Sequence, residues 1–233
     1  VQVPEWHEER AQKRTSGLPA AVDTVIEHLR YRLYPNDRNA VFMGVDDFLF
    51  QETETVEILS HVKYGSVRCA VTRTDQDALK GETAHTLIIP TTLKEIGPYA
   101  FAYMQNLKRV VIPSSVRTIK RGAFAGCTNL SSITIEPGVR LIEGTSFAGT
   151  AITSITIPNT VKDLQTYVFE DCKKLKTVKL PDGIKKIGEC LFMGCESLTS
   201  VVVPPTVTEI GERAYYDCKS LSSVTLPEGL VKI

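Results

Sequence analysis

Residues 191–218 read LFMGCESLTSVVVPPTVTEIGERAYYDC, and variants of this text recur between residues 87 and 230. A period of roughly 20 to 30 residues is typical of a solenoid, in which each unit stacks only on its neighbours. The period is best counted on the last residue of the motif V-x-I-P. This residue is proline in every unit but one, where it is glutamate. Its spacings are 23, 23, 22, 23, 23 and 23 residues along Pro90, Pro113, Glu136, Pro158, Pro181, Pro204 and Pro227.

The V-x-I pair of each unit has the two-residue period of a short strand with one buried face. The proline after it cannot donate a ladder hydrogen bond and ends the strand. A second apolar pair follows at spacing three, as in Val116 and Ile119, and an aromatic position lies five residues further on. One unit cannot bury these positions alone, so we predict continuous core columns through the stack. The aromatic column is Phe101, Phe124, Phe147, Phe169, Phe192 and Tyr215.

The segments AFAGCTNLSSITI (residues 123–135) and LFMGCESLTSVVVPPTVTEIGERAYYDC resemble the BspA-like leucine-rich repeat family, also called the Treponema-type repeat. The resemblance covers nearly two thirds of the chain. It implies a curved solenoid with a parallel sheet of short strands on its concave side. Members are mostly cell-surface or secreted proteins of bacteria and protists that bind other proteins, host matrix included. The resemblance therefore implies a non-catalytic, adhesion-type protein-binding module.

The first third of the chain has a different pattern. Residues 1–17 are polar, and we predict an extended or partly helical lead-in. Apolar residues between Pro19 and Leu33 fall on one helical face, which predicts an amphipathic helix. Short apolar runs predict strands, and Tyr64-Gly65 between the last two predicts a hairpin turn. These runs are residues 40–45, 48–51, 56–62 and 66–72.

Residues 1–80 are therefore expected to form a small α+β module, followed by an α+β-class leucine-rich-repeat solenoid of about six 23-residue units in residues 81–233. We interpret the module as a cap on the first repeat, because it continues without a linker into the repeats. The alternative is an independent functional domain for which the repeats are a spacer. Residues 75–86 read as a degenerate first repeat, with Ala78 and Ala84 at the phenylalanine and leucine positions.

Catalytic and metal-binding patterns are not found in the sequence. No glycine-rich phosphate loop, nucleophile elbow or zinc-protease motif is present, and the four histidines lack the spacing of metal ligands. The acidic pair Asp46-Asp47 is interpreted as a turn. We expect neither enzymatic activity nor a cofactor nor a metal.

Four of the six cysteines belong to the repeat. Each lies three residues after the aromatic position, not in the close pairs of a zinc site, so we predict that they pack as small apolar side chains. The other two, Cys69 and Cys190, have no predicted pair, and the redox compartment stays open. The column cysteines are Cys127, Cys172, Cys195 and Cys218.

The candidate binding surface is made of the outward residues of the predicted strands. They form two rows of mainly Ser and Thr, which give an extended polar face for a protein partner. The alternative is that Ser and Thr simply suit exposed strand positions, and the rows lack the aromatic anchors typical of hot spots. The first row is Arg109, Ser132, Ser154, Thr177, Ser200 and Ser223. The second is Val111, Thr134, Thr156, Lys179, Val202 and Thr225.

One unit differs from the others. It has Glu136 at the marker position, lacks the cysteine and is one residue shorter between Phe147 and Ile152. We expect a local change in stacking or curvature. Repeat drift explains this simply; a partner notch at Glu136, Arg140 and Glu143 is the alternative hypothesis.

Charge is balanced, with 27 basic and 27 acidic residues, so a nucleic-acid or anionic-membrane partner is not indicated. No apolar run is long enough to span a bilayer. The expected partners are proteins, and exposed repeat ends also offer strand edges through which two copies can pair. The family resemblance favours the cell surface or secretion, and an intracellular scaffold within a larger assembly is the alternative. The chain begins at Val1 and ends partway through a seventh unit, so a longer natural protein is expected.

Overall fold

The computed structural model describes residues 18–46 and 54–233, which form stacked strand units. The predicted leucine-rich-repeat solenoid with short parallel strands is confirmed. Within the described residues, the helical structure is limited to a 3-10 turn at Pro35–Asp37. The predicted lead-in and the run at residues 48–51 lie outside those residues, as does Asp47 of the predicted acidic turn.

The helix predicted between Pro19 and Leu33 is wrong. The segment is a β-hairpin in which β1 (Val22–Ile26) pairs antiparallel with β2 (Leu29–Tyr34). Its two-residue turn is Glu27-His28, with φ of 48° and 70°. Two positive φ values match the twist of the flanking strands, and such turns are preferred in hairpins.

The apolar positions of this segment fit a helix period, those of β2 also fit a strand period, and burial in the sheet decides between them. In β2, the buried Leu29, Tyr31 and Leu33 alternate with the more exposed Arg30 and Arg32. A sheet neighbour on the other side of β2 completes this burial, and that neighbour is β3 (Asn39–Val45). Tertiary pairing therefore overrides the helical interpretation.

The remaining strands of the N-terminal part are β5 (His61–Tyr64) and β6 (Val67–Thr74). They form the predicted hairpin, with Tyr64 opposite Val67 and Gly65 in the turn. Strand β6 is also parallel to β3, so it connects the N-terminal hairpin to the rest of the sheet.

The first row of repeat strands carries the V-x-I motif and alternates buried with exposed side chains, as the sequence predicts. Hydrogen bonding is continuous over the first four strands and is interrupted before the fifth and before the seventh. The row consists of β4 (Thr55–Glu57), β7 (Thr86–Ile88), β9 (Arg109–Ile112), β11 (Ser132–Ile135), β13 (Ser154–Thr156), β15 (Thr177–Lys179), β17 (Ser200–Val202) and β19 (Ser223–Thr225).

The second row consists of two-residue strands, each of which ends in a buried apolar residue. They are β8 (Glu95–Ile96), β10 (Thr118–Ile119), β12 (Leu141–Ile142), β14 (Asp163–Leu164), β16 (Lys186–Ile187) and β18 (Glu209–Ile210). The first four extend the N-terminal sheet in the order β1-β2-β3-β6-β8-β10-β12-β14. Sheets and core thus run across residue 80, which favours the cap over an independent domain. The boundary itself stays a prediction.

The aromatic column forms a stack through the core. Ring centroids of successive units lie 5.3 to 5.9 Å apart, and from Phe124 onward the planes are within 20° of parallel. The five phenylalanines are fully buried. Because strands in neighbouring units lie about 4.7–4.9 Å apart, each inner ring contacts the ring above and the ring below.

The degenerate first repeat differs from the prediction by one residue. Leu79 N donates to Ala100 O at 2.6 Å, as Phe101 N donates to Ala123 O at 2.9 Å. Leu79, not Ala78, therefore occupies the aromatic position, and it is fully buried. Ala84 takes the leucine position as predicted, since Thr86 pairs with Arg109 two residues later.

The column cysteines pack in the core and also donate to the backbone. The Sγ of Cys127 lies 3.1 Å from Phe101 O of the preceding unit, and the other three repeat this contact at 3.1 to 3.2 Å. All cysteines in the described residues are free thiols. Burial raises the pKa of Cys127 to about 12 and that of Cys172 to about 11.

Phe147→Ala should destabilise the fold by about 3–5 kcal/mol, because the two neighbouring rings can collapse only partly into the hole. Urea unfolding followed by circular dichroism measures the loss. Tyr216→Ala is the matched control, since this aromatic side chain is largely exposed and should cost less than about 0.5 kcal/mol. Equal losses in the two variants would contradict a stabilising stack.

The free energy of unfolding should fall as pH rises above about 8.5, where a thiol ionises in the unfolded chain. The native state keeps the Cys127 proton up to about pH 12, so between these values the unfolded state binds fewer protons and is favoured. Cys127→Ala should reduce the slope by up to about 1.4 kcal/mol per pH unit. Urea titrations between pH 8 and pH 10.5 compare the slopes, and identical slopes would exclude this linkage.

Candidate functional site

The candidate surface is the outward side of the first strand row, which we call the strip. Strand alternation places one side chain in two towards the core and exposes the next. Of the predicted residues, Ser132 is half-buried and the others are exposed. The strip comprises Arg109, Val111, Ser132, Thr134, Ser154, Thr156, Thr177, Lys179, Ser200, Val202, Ser223 and Thr225. Whether they bind a partner stays a prediction.

Parallel pairing fixes the order of these side chains. Arg109 is paired with Ser132 and Val111 with Thr134, so each row has one side chain per unit. The same alignment holds where Ser154 pairs with Thr177. An extended partner segment can therefore contact several units at once.

The strip begins two units earlier than the sequence predicts, because β4 adds the exposed Thr55 and Glu57, which pair with Thr86 and Ile88 of β7. Strand β7 adds Thr86 to the first row and Ile88 to the second, and both are exposed. The signal in the sequence was Leu87-x-Ile89-Pro90, which is the same V-x-I-P motif. Ile88 is 43% exposed and Val111, one unit further, is 46% exposed. The two form an apolar step near the N-terminal end of the strip, where the exposed Glu57 of β4 lies beside Ile88.

A groove of about 710 Å³ surrounds this apolar step. Its floor includes Ile88 and Val111, and the charged residues on its borders are Lys108, Arg109 and Glu136. An apolar centre with charges of both signs around it is the usual composition of a protein-binding surface.

A second groove lies beside the short unit. The hydrogen-bonded sheet ends at β11 and begins again at β13, next to the turn that has lost one residue between Phe147 and Ile152. A groove of about 510 Å³ lies here, and it is lined by Ser132, Thr134, Ser154, Thr156, Thr177 and Lys179 together with buried strand residues. The strand row is thus interrupted beside the short unit, and it is interrupted again before β17, where the units have full length.

The three residues of the hypothetical notch are divided between the two strand rows, with Glu136 beside the first and Arg140 and Glu143 beside the second. Glu136 follows β11, and its carboxylate accepts a 2.8 Å hydrogen bond from Ser114 N. Glu143 follows β12; it accepts from Lys120 Nζ at 3.0 Å and from Arg121 N at 3.1 Å. The Glu143 carboxylate is the main cause of the raised pKa of Lys120. Both glutamates connect neighbouring units, and Arg140 is exposed.

Metal ligands do not cluster in the described residues: no group of three His, Cys, Asp or Glu could hold an ion. His28 lies in the β1–β2 turn, His85 borders the apolar groove, and His61 lies beside Arg68. Desolvation, together with Arg68, lowers the pKa of His61. His7 is outside the described residues. Among the helical elements of residues 18–46 and 54–233, none is long and apolar enough to cross a membrane.

Comparison with solved structures gives several similar folds. A leucine-rich repeat protein from Bacteroides ovatus is 29% identical, with a TM-score of 0.83 over 90% of this chain and 54% of that chain. The present chain thus spans about half the length of that protein. A Treponema pallidum leucine-rich repeat protein is 23% identical, with a TM-score of 0.75 over 86% of this chain and 91% of that one.

A pneumococcal vaccine antigen has the same fold at 15% identity, with a TM-score of 0.59 over 90% of this chain and 71% of that chain. No curated protein sequence matches the chain significantly. The family model described as the BspA type leucine rich repeat region matches in six copies, over residues 50–176 and 140–233. The chain belongs to the BspA-type leucine-rich repeat family.

Proposed function

We propose that this chain is a non-catalytic protein-binding module that holds its partner along the strip. The observation that carries the proposal is the apolar step of Ile88 and Val111, exposed in a groove with Arg109 and Glu136 at its border. Proteins built from leucine-rich repeats typically bind other proteins or lie on cell surfaces, which supports the same class of function.

The chemistry of the strip suits an extended partner segment. Ser and Thr hydroxyls donate and accept hydrogen bonds, and they repeat at the spacing of neighbouring strands. Ile88 and Val111 supply the apolar contact, because they lose water when a partner covers them. The strip has no aromatic side chain in its two rows, so affinity must come from many modest contacts over several units.

The finer part of the proposal is an adhesion-type role at the cell surface or after secretion. It rests on the family resemblance and on the length of the strip, which is suited to a large protein ligand. The alternative is a scaffold segment that holds partners inside a larger intracellular assembly. The two roles use the same surface and differ in the identity of the partner.

Site-specific photo-crosslinking tests the surface. A photoreactive amino acid at Val111 or at Thr156 should capture the same partner from extracts of the producing cells or from extracellular matrix proteins. The control position is Thr208, which is also exposed but precedes a strand of the second row. Capture from Thr208 and not from the strip would overturn the proposal and direct attention to the second row or to residues 1–80.

The double variant Ile88→Ser/Val111→Ser tests the apolar step against the captured partner. It should weaken binding at least about tenfold, because two apolar contacts are lost while the folded core is untouched. Val202→Ser is the matched control, since Val202 is 68% exposed in the same row but lies outside the groove. Interferometry measures the affinities. Equal affinity of the parent and the double variant would contradict a role of the apolar step in binding. The cellular compartment of the captured partner distinguishes the adhesion role from the scaffold role.

A further inference from the structure

Five basic residues form a column on the second strand row. The residue just before the two-residue strand is lysine or arginine in the first five of the six units that have such a strand. All five side chains are exposed. We call this set the basic column. Its members are Lys94, Arg117, Arg140, Lys162 and Lys185.

Backbone hydrogen bonds align the first four members. Arg117 N donates to Lys94 O at 2.8 Å, Arg140 N to Arg117 O at 2.8 Å, and Lys162 N to Arg140 O at 2.9 Å. Neighbouring strands lie about 4.8 Å apart, so the positive charges repeat at that interval along a line. The residues are 22 or 23 positions apart in the sequence, and only stacking brings them together.

These charges have no carboxylate partner. None of the five makes an ion pair among residues 18–46 and 54–233. Arg117 and Lys162 donate to backbone carbonyls, which orients the side chains and leaves the charge uncompensated. The neighbouring Glu95 and Glu209 bind other lysines, namely Lys120 and Lys186. A row of like charges repels itself, and a bound anion relieves that repulsion.

A groove interrupts the column between Lys162 and Lys185. The second row loses its ladder between β14 and β16, and a groove of about 430 Å³ lies there. Three lysines line it, Lys162, Lys185 and Lys186, and Gln165 and Thr166 add hydrogen-bonding groups. One carboxylate, Asp163, also lines it. Because Lys186 is paired with Glu209 at 2.9 Å, Lys162 and Lys185 supply the unpaired positive charge of this concave site.

We propose that the basic column binds a linear acidic polysaccharide, with one anionic group seated in the lysine groove. This is a second binding surface, separated from the strip by the proline turn of each unit. The sugars of a linear polysaccharide turn about the chain axis, so anionic groups on one side recur at about every second sugar, a repeat close to two unit spacings. Carboxylates or sulfates on that side can therefore meet the basic residues of alternate units. The forked guanidinium groups of Arg117 and Arg140 match both anions.

Other polyanions fit the column less well. Single-stranded nucleic acids bind on aromatic platforms that stack the bases, and no member of the column or of the groove lining is aromatic. An extended acidic peptide presents carboxylates on one side only every ~6.6 Å, because alternate residues point away. That spacing loses the match within a few units.

Calorimetry with defined probes tests the proposal on the full chain. Heparin and polygalacturonate supply sulfate and carboxylate polysaccharides, and oligothymidylate and polyglutamate represent the other classes. Arg140→Glu/Lys162→Glu/Lys185→Glu should weaken polysaccharide binding by at least about 100-fold. Arg117 is left in place because its side chain bonds across units.

The matched control is Lys63→Glu/Lys174→Glu/Lys176→Glu, in which three exposed lysines outside the column are reversed. Each reversal changes the charge by −2, so both triple variants change from 0 to −6 and differ only in where the charge lies. The control should keep polysaccharide affinity within about threefold of the parent. Circular dichroism checks folding; if a reversed variant does not fold, the corresponding glutamine variants replace both.

Any of three results would overturn the proposal. The first is that the parent chain binds neither polysaccharide, and the second is that the column variant and the control lose affinity equally. The third is that oligothymidylate or polyglutamate binds as tightly as the polysaccharides and that this binding depends on the column. The Ile88→Ser/Val111→Ser variant should bind polysaccharide like the parent, because the column does not depend on the strip. Failure of the polysaccharide proposal can therefore be distinguished from failure of the protein-binding proposal.

Discussion

Stacking of one aromatic ring on the next is the interaction on which the rest of this structure depends. A unit of 23 residues has too little volume to enclose a phenylalanine, so each ring is buried only because its neighbours supply rings 5.3 to 5.9 Å away. The same contact sets the distance between units at the spacing of hydrogen-bonded strands. Burial and backbone pairing thus demand the same geometry, which is why six irregular copies produce one regular column.

This geometry converts positions in the repeat into lines on the surface. A residue at one position of the unit meets its equivalents directly above and below, whatever the surrounding sequence. The strip and the basic column both arise in this way, the first from strand residues such as Arg109 and Ser132 and the second from residues such as Arg117 and Arg140. Balanced total charge does not prevent a charged line, because stacking sorts residues by position and not by composition. The overall neutrality therefore says little about the partners of an individual face.

The departures from the repeat are informative because each has a local physical cause. Leu79 occupies the aromatic position one residue later than the period suggests, and its side chain, larger than that of Ala78, is fully buried there. The short unit keeps Phe147 in the stack while its strand row separates at β13. The core column keeps its geometry where the outer strand pairing is interrupted, and two of the three grooves lie at such interruptions.

The sequence by itself determined the solenoid, the strand carrying V-x-I, the aromatic and cysteine columns and the outward rows of the strip, because each depends on a period that can be read along the chain. It did not determine the hairpin of residues 22–34, since Val22, Val25, Ile26, Leu29 and Leu33 satisfy a helix period, whereas the buried strand positions include Thr24 and Tyr31 and not Val25. Pairing of β2 with β3 decided that segment. The basic column and the three grooves were also decided only by the tertiary structure. Their residues are distant in sequence, and what they can bind depends on which charges remain unpaired once the units are stacked.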